Sequence, residues 1–415
     1  MKRIMQGSTF WITNALLESG FHYEDDVAIE TITEKVHILI DNGFITAIVA
    51  ASTPLSDQLP KKDARNLLIL PSFIEKHCHL DKTLIGDSWR SCRQVANRIE
   101  RCNFEKNLLP TLATTTKERA EALLQVLVNA GSTHIRTHVD IYPEAGLHYL
   151  EAVQQALTTF DGRLSHEIVA FPQHGLLRTN SKDLVRAALR EGANLVGGVD
   201  PAVIDGDIEA SLQQMMDIAV EANVGIDLHL HDPSHLGIFT MRRLAALTED
   251  AGWQGRVTIS HAYGLGEVSL AEAEDVADML VASNISLITS VPIHGPIPPI
   301  DLLRKKGVPI AIGCDNIFDS WSPFGNGDIL DRASRMAERF NWIDEQSLAQ
   351  TLGFITNGKT PLDQMGKRIW PNIGDEASMV FVEASCSAEA IARRSRRHAV
   401  MYKGNVVAGE LNAVE

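Results

Sequence analysis

The sequence predicts an α/β architecture, a (β/α)8 TIM barrel with a small β-sandwich domain built from both termini. Three observations predict it. Apolar runs alternate with amphipathic stretches through the middle of the chain, and both ends alternate residue by residue in strand fashion. The length of 415 residues suits one large α/β barrel with a small companion. The expected division is 1–70 and 368–415 for the β-sandwich and 71–367 for the barrel.

At the N-terminal end, "TFWITNA" is followed by "VHILIDNGFITAIVA", where Asn42-Gly43 reads as a two-residue hairpin turn. At the other end, "ASMVFVEA" precedes "HAVMYKGNVVAGE", which turns at Lys403-Gly404-Asn405. Between them, buried-strand candidates fall at 69–76, 133–139, 166–172, 193–199, 224–230, 256–261, 284–291 and 308–314. Helical segments separate them. In 116–131, Leu123, Leu124 and Leu127 share one face and Gly131 stops the helix; 205–223 is a second example. Strands alternating with helices in this way give a parallel barrel.

Composition excludes several classes. Hydrophobic residues make up 45% and charged residues 22%, ordinary for a globular protein. A formal net charge of −15 argues against nucleic acid or an anionic membrane as partner. The basic run Arg393, Arg394, Arg396, Arg397 reads as a solvated helix face. Five cysteines without a CxxC pair make neither a disulfide framework nor a cysteine zinc knuckle. The first residues lack the apolar core of a secretory signal, and no run reaches the roughly 18 apolar residues of a membrane helix. A cytoplasmic location is expected.

Active sites of such barrels lie at the C-terminal ends of the strands, so histidines and carboxylates can be sorted by whether they end one. His77 and His79 close the first strand in "PSFIEKHCHLDKT", pointing the same way because side chains on a strand alternate. Cys78 between them faces the other side, as packing. His229 closes the fifth strand in "GIDLHLHD", His261 the sixth in "VTISHAYG" and Asp315 the eighth in "VPIAIGCDN". Imidazoles and a carboxylate converging from different strands make a divalent-metal site with a position open to water.

This pattern resembles the amidohydrolase superfamily. "HLDKT", "RTHVD", "VAFPQ" and "GCDNIFDSW" are similar to its cytosine deaminase-like branch, and most similar there to the N-isopropylammelide isopropylaminohydrolases, which act on s-triazine rings. The resemblance covers nearly the whole chain. It implies a hydrolase of exocyclic C–N bonds on a small nitrogen heterocycle, homo-oligomeric, using one divalent metal ion per subunit. Zinc is expected first, with iron or manganese as alternatives. Binuclear relatives carry a lysine at the end of the fourth strand; "NLVGGVDP" has none and offers Asp200, read as a loop or outer-layer residue. Cytosine deaminases have Glu three residues after the fifth-strand histidine, where this chain has Asp232, and His231 stands two residues after His229 as in the triazine enzymes.

The expected roles follow. The metal ligands are His77, His79, His229 and Asp315. Asp315 also accepts the proton of a water whose pKa the metal lowers to roughly 7, and His261 orients that water. The leaving amine takes its proton from His231 or, as second candidate, Asp232; an imidazole of pKa near about 6.5 suits neutral-pH transfer. Gln173, whose amide both donates and accepts, is expected to hold the ring edge, with Asn316 as a second such contact. Lys82 would neutralise a ring oxygen and Trp321 would wall the ring. His138 is expected behind the ligands, acting through Asp140. Deamination of cytosine or creatinine is the alternative; a cyclic amidohydrolase and a non-catalytic metal-binding barrel rank below it.

Overall fold

The computed structural model describes residues 9–414; the first eight, part of the leader reading, lie outside the described residues. Eight parallel strands follow one another around the barrel in chain order: Phe73–Cys78, Ser132–Asp140, Ser165–Phe171, Leu195–Val199, Gly225–Leu230, Val257–His261, Ser286–Thr289 and Ile310–Ile312. Parallel neighbours need a crossover, and helices supply it with their apolar faces turned to the barrel. Helix Thr116–Asn129 opens with a capping box between Thr115 and Glu118, buries Leu123, Leu124 and Leu127, and is followed by Gly131 at φ +109°. A Cβ on Gly131 would lie 2.8 Å from the Phe73 ring, so glycine there serves both the turn and the packing of the first strand.

The ring closes between the eighth and first strands. The Asp315 amide donates to the His77 carbonyl at 2.6 Å, and Cys78 and Asp315 form a parallel bridge. Gly313 makes this seam possible, because a Cβ there would sit 2.3 Å from the His77 Cβ. Two metal-site candidates are therefore fixed by the closure itself.

Both chain ends contribute to one nine-stranded sheet. Strand Phe10–Glu24 pairs with Val27–Asp41, which turns at Asn42-Gly43 into Phe44–Ala50. From the far end, Met379–Val382 and Arg397–Tyr402 join antiparallel, with Asn405–Gly409 after the Lys403-Gly404 turn. Ile12, Ile38, Ile40, Phe381 and Met401 form a core separate from that of the barrel.

Two expectations need correction. The run 69–76 is not one strand: Leu68–Pro71 pairs antiparallel with Met379–Val382 in the terminal sheet, and the barrel strand starts at Phe73. Both pieces are buried, so the apolar run carried no sign of the break. The basic cluster is not one solvated helix face. Its helix ends at Arg393, Arg394 pairs with Asp331 at 2.8 Å and Glu338 at 2.7 Å, and Arg397 lies in a strand paired with Asp328.

Candidate active site

The strand ends bring five imidazoles and a carboxylate together. Ring centroids of His77 lie 4.5 Å from His229, 5.0 Å from His261 and 5.5 Å from His79. His79 Nε2 stands 3.3 Å and His77 Nε2 3.6 Å from Asp315 Oδ1. The fifth imidazole is His138, 4.1 Å from His77 and 4.5 Å from His229. Ligand atoms form two groups that share His77, each within 4.8 Å: His77, His79 and Asp315, and His77, His138 and His229. His138 thus faces the cluster itself, and Asp140, expected to orient it, instead contacts Lys82 and Gln173.

A cation suits this donor set. His77 Nε2, His79 Nδ1 and both ring nitrogens of His138, His229 and His261 are buried without a hydrogen-bond partner in the protein. Buried polar atoms are rarely left so, and several around one point call for a shared ligand. The protonation state agrees. Burial and then the neighbouring imidazoles hold His77, His138 and His229 well below the ordinary histidine range, and His261 is pushed down to about 3 by burial and His231. Neutral imidazoles keep a lone pair for a metal. Burial opposes ionisation of Asp315, but His79, His261 and His77 hold its carboxyl far below the usual range.

One relay fixes which nitrogen of His77 is free. Arg136 donates to Asp227 at 2.9 Å, and the Ser260 hydroxyl donates to the other Asp227 oxygen at 2.7 Å. With its proton committed there, Ser260 accepts from His77 Nδ1 at 2.9 Å, leaving the Nε2 lone pair toward the cluster. The backbone contributes as well: His261 has φ +73° and Asp315 φ +61°, left-handed conformations that cost non-glycine residues free energy and gather at functional sites.

His231 stacks on His261 with centroids 4.3 Å apart and lines the cavity. Asp200 holds it from behind. The carboxylate accepts from the His231 amide at 2.5 Å and lies 3.1 Å from Nδ1. Burial raises the Asp200 pKa, but His231 and Arg98 beside it bring it below the ordinary value, so the carboxylate accepts Nδ1–H and Nε2 is left for the cavity. Asp232 points elsewhere. It is fully buried, accepts from the Ala202 and Val203 amides, and is pushed up to about 6 by burial and then Asp200. The two proton-donor candidates are thereby separated.

The expected ring contacts also divide. Trp321, Gln173 and Asn316 line the cavity, but Lys82 does not. Lys82 is buried behind Gln173, with Nζ 2.8 Å from Asp140, 2.5 Å from Gln173 Oε1 and 3.6 Å from Glu105. The Gln173 Nε2 donates to Glu105 at 2.7 Å and Asp140 at 3.0 Å, so both donors are taken. Only a second lone pair on Oε1 remains for a ligand. One hydrogen of the Asn316 amide is held by Asp319 at 2.7 Å, and the other is left free. Glu105, absent from the sequence-based reading, accepts from Gln173, Ser320 and Trp321 and aligns that wall. Phe171, Val199 and Ile204 supply an apolar side. The cavity between these walls holds about 50 Å³.

Comparison with known proteins identifies the family. Residues 103–411 match the family described as "Amidohydrolase family". The chain belongs to that family. It is a hydrolase acting on carbon–nitrogen bonds other than peptide bonds. The Escherichia coli (strain K12) uncharacterized protein YahJ is 38% identical over 405 residues, covering 97% of this chain and 88% of the relative. The N-isopropylammelide isopropylaminohydrolase structure from Burkholderia multivorans superposes with a TM-score of 0.85 at 30% identity, over 97% of this chain and 98% of that one. A 5-methylcytosine deaminase structure from Klebsiella pneumoniae, liganded with 5-fluorocytosine, gives 0.78 at 25% identity over 97% and 98%. No helix among the described residues is long and apolar enough to cross a membrane.

Proposed function

We propose that the chain is a mononuclear metal-dependent aminohydrolase that hydrolyses an exocyclic C–N bond of a small nitrogen heterocycle of the N-isopropylammelide type. The observation that carries this reading is the cluster of partnerless imidazole nitrogens on His77, His138, His229 and His261 beside Asp315 at the strand ends. His77, His79, His229 and Asp315 would hold the ion, zinc first among the candidates. When bound, such an ion lowers the pKa of a coordinated water to roughly 7 and draws electron density from the substrate.

The protein's own groups do the rest. Asp315 accepts the water proton, and His261 hydrogen-bonds the water oxygen and aims it at the ring carbon. The oxygen–carbon bond forms first, making the ring carbon tetrahedral, and the carbon–nitrogen bond then breaks. His231, its Nδ1–H held by Asp200 and a second proton on Nε2, gives that second proton to the departing nitrogen, and the proton taken by Asp315 from the water makes up the balance. Asp232 acts on the loop carrying Ala202 and Val203, not on the nitrogen. Gln173 and Asn316 present carbonyl oxygens to ring N–H groups, and Trp321 covers the ring. Lys82 serves the ring indirectly by fixing Gln173.

Deamination of a cytosine-like ring is the second reading, favoured by the likeness to the 5-methylcytosine deaminase. Steady-state assays on N-alkylamino-s-triazines and aminopyrimidines, scoring alkylamine against ammonia, separate the two. Alkylamine release supports the first reading; ammonia release confined to pyrimidines overturns it in favour of the second. His231→Ala is expected to keep its metal and lose most turnover, and unchanged turnover removes His231 from the mechanism.

A further inference from the structure

Arg98 is the only cationic side chain lining the cavity among the described residues. It is the first residue of helix Arg98–Leu108, which lies over the cavity and also brings Cys102 to its wall. A positive charge in the first turn opposes the helix dipole, so the arginine is not there to stabilise the helix. None of its guanidinium N–H groups donates a hydrogen bond to the described protein, and its closest carboxylate, Asp200, is 3.8 Å from Nε, too far for one. The side chain is 38% exposed, while Asp200 is fully buried with its oxygens directed at His231. A free planar fork of donors thus borders the cavity beside a carboxylate that faces away from it.

The amide walls differ from it. Gln173 has both amide hydrogens held by Glu105 and Asp140 and offers only an acceptor, while Asn316 has one hydrogen held by Asp319 and keeps both a donor and an acceptor. Lys82 has no access. Asn316 follows the eighth strand and Asp200 the fourth, half-way round the ring from each other. Gln173 follows the third strand, next to that of Asp200, so the cavity sets an uncharged acceptor beside the charged donors of Arg98.

We propose that Arg98 is a specificity-determining residue that binds a carboxylate substituent on a heterocycle whose N–H edge faces Gln173. As a statement about substrate it rests on the hydrolase reading above. The planar guanidinium matches a carboxylate with two parallel hydrogen bonds.

The test uses two matched pairs on wild type, Arg98→Met and Arg98→Lys. Binding of uracil and its 6-carboxylate, orotate, is measured by calorimetry, and kcat/KM is measured on amino-heterocycles with and without a carboxylate. Wild type is expected to favour the carboxylate member of each pair. Arg98→Met should lower that preference about 10- to 100-fold, with Arg98→Lys between them. Equal losses on both members of the pairs would overturn the proposal and assign Arg98 to neutralising Asp200 behind His231. A wild type that binds orotate no better than uracil also overturns it. A lost orotate preference in Arg98→Met with no amine released by wild type would keep the arginine site and sink the aminohydrolase reading instead.

Discussion

Lys82 Nζ lies 2.5 Å from the side-chain oxygen of Gln173, so the lysine grips the glutamine from behind and does not reach the cavity. Around the pair, Asp140 and Glu105 supply the counter-charge. Burial alone would deprotonate the lysine, but these carboxylates hold its pKa well above the ordinary value.

This arrangement makes Lys82→Met a stability variant as well as a binding variant. Removing one partner of a buried ionic cluster strands the others, at a cost of roughly 3–5 kcal/mol. Thermal unfolding should show a clear loss of Tm together with a raised KM. A variant with wild-type Tm and only a raised KM would return Lys82 to direct contact with the ring.

Asp200→Asn tests the support of His231. Without the carboxylate, the imidazole loses the acceptor that sets its tautomer, and kcat should fall about 10- to 100-fold with metal content unchanged. Measuring kcat and metal on the same preparation separates this from damage to the metal cluster. If kcat stays at the wild-type value, the Asp200–His231 contact plays no part in proton transfer.

The site was only partly legible in the sequence, for physical reasons. His77 and His79 stood out because a strand repeats every two residues, and His229, His261 and Asp315 because each ends an apolar run. Asp200 was visible but not its task, since its pairing with His231 depends on a turn at φ +36°. Lys82, Glu105 and Gln173 come from three separate segments, and only coordinates reveal that they neutralise one another. The same limit hid the break near Ser72, where two buried strands of different sheets adjoin.

Gly313→Ala probes the seam. A methyl group 2.3 Å from the His77 Cβ forces the eighth strand away from the first, costing about 1–3 kcal/mol and displacing His77 from its relay. Lower Tm and weaker metal retention on dialysis against a chelator should appear together. Wild-type behaviour in both would show that the strands are not held this closely.

Glu18 gives a pH test remote from the site. It is buried in the terminal sheet, accepts from the Ser387 amide, and is pushed from 4.5 up to about 7, by burial first. The folded state thus holds this proton more tightly than the unfolded chain. Its contribution is complete below pH 4.5 and is lost as pH rises through about 7. Stability differences between wild type and Glu18→Gln across that window, from denaturant titrations, should grow with pH in favour of the variant. A constant difference would mean that Glu18 ionises as readily folded as unfolded.

The most direct measurement is metal content against turnover for wild type and His229→Asn, on purified protein before and after chelation. The account predicts about one divalent ion per wild-type chain, loss of amine release on chelation, recovery on adding zinc, iron(II) or manganese, and little metal in the variant. Full amine release from a wild-type protein stripped of metal would contradict it.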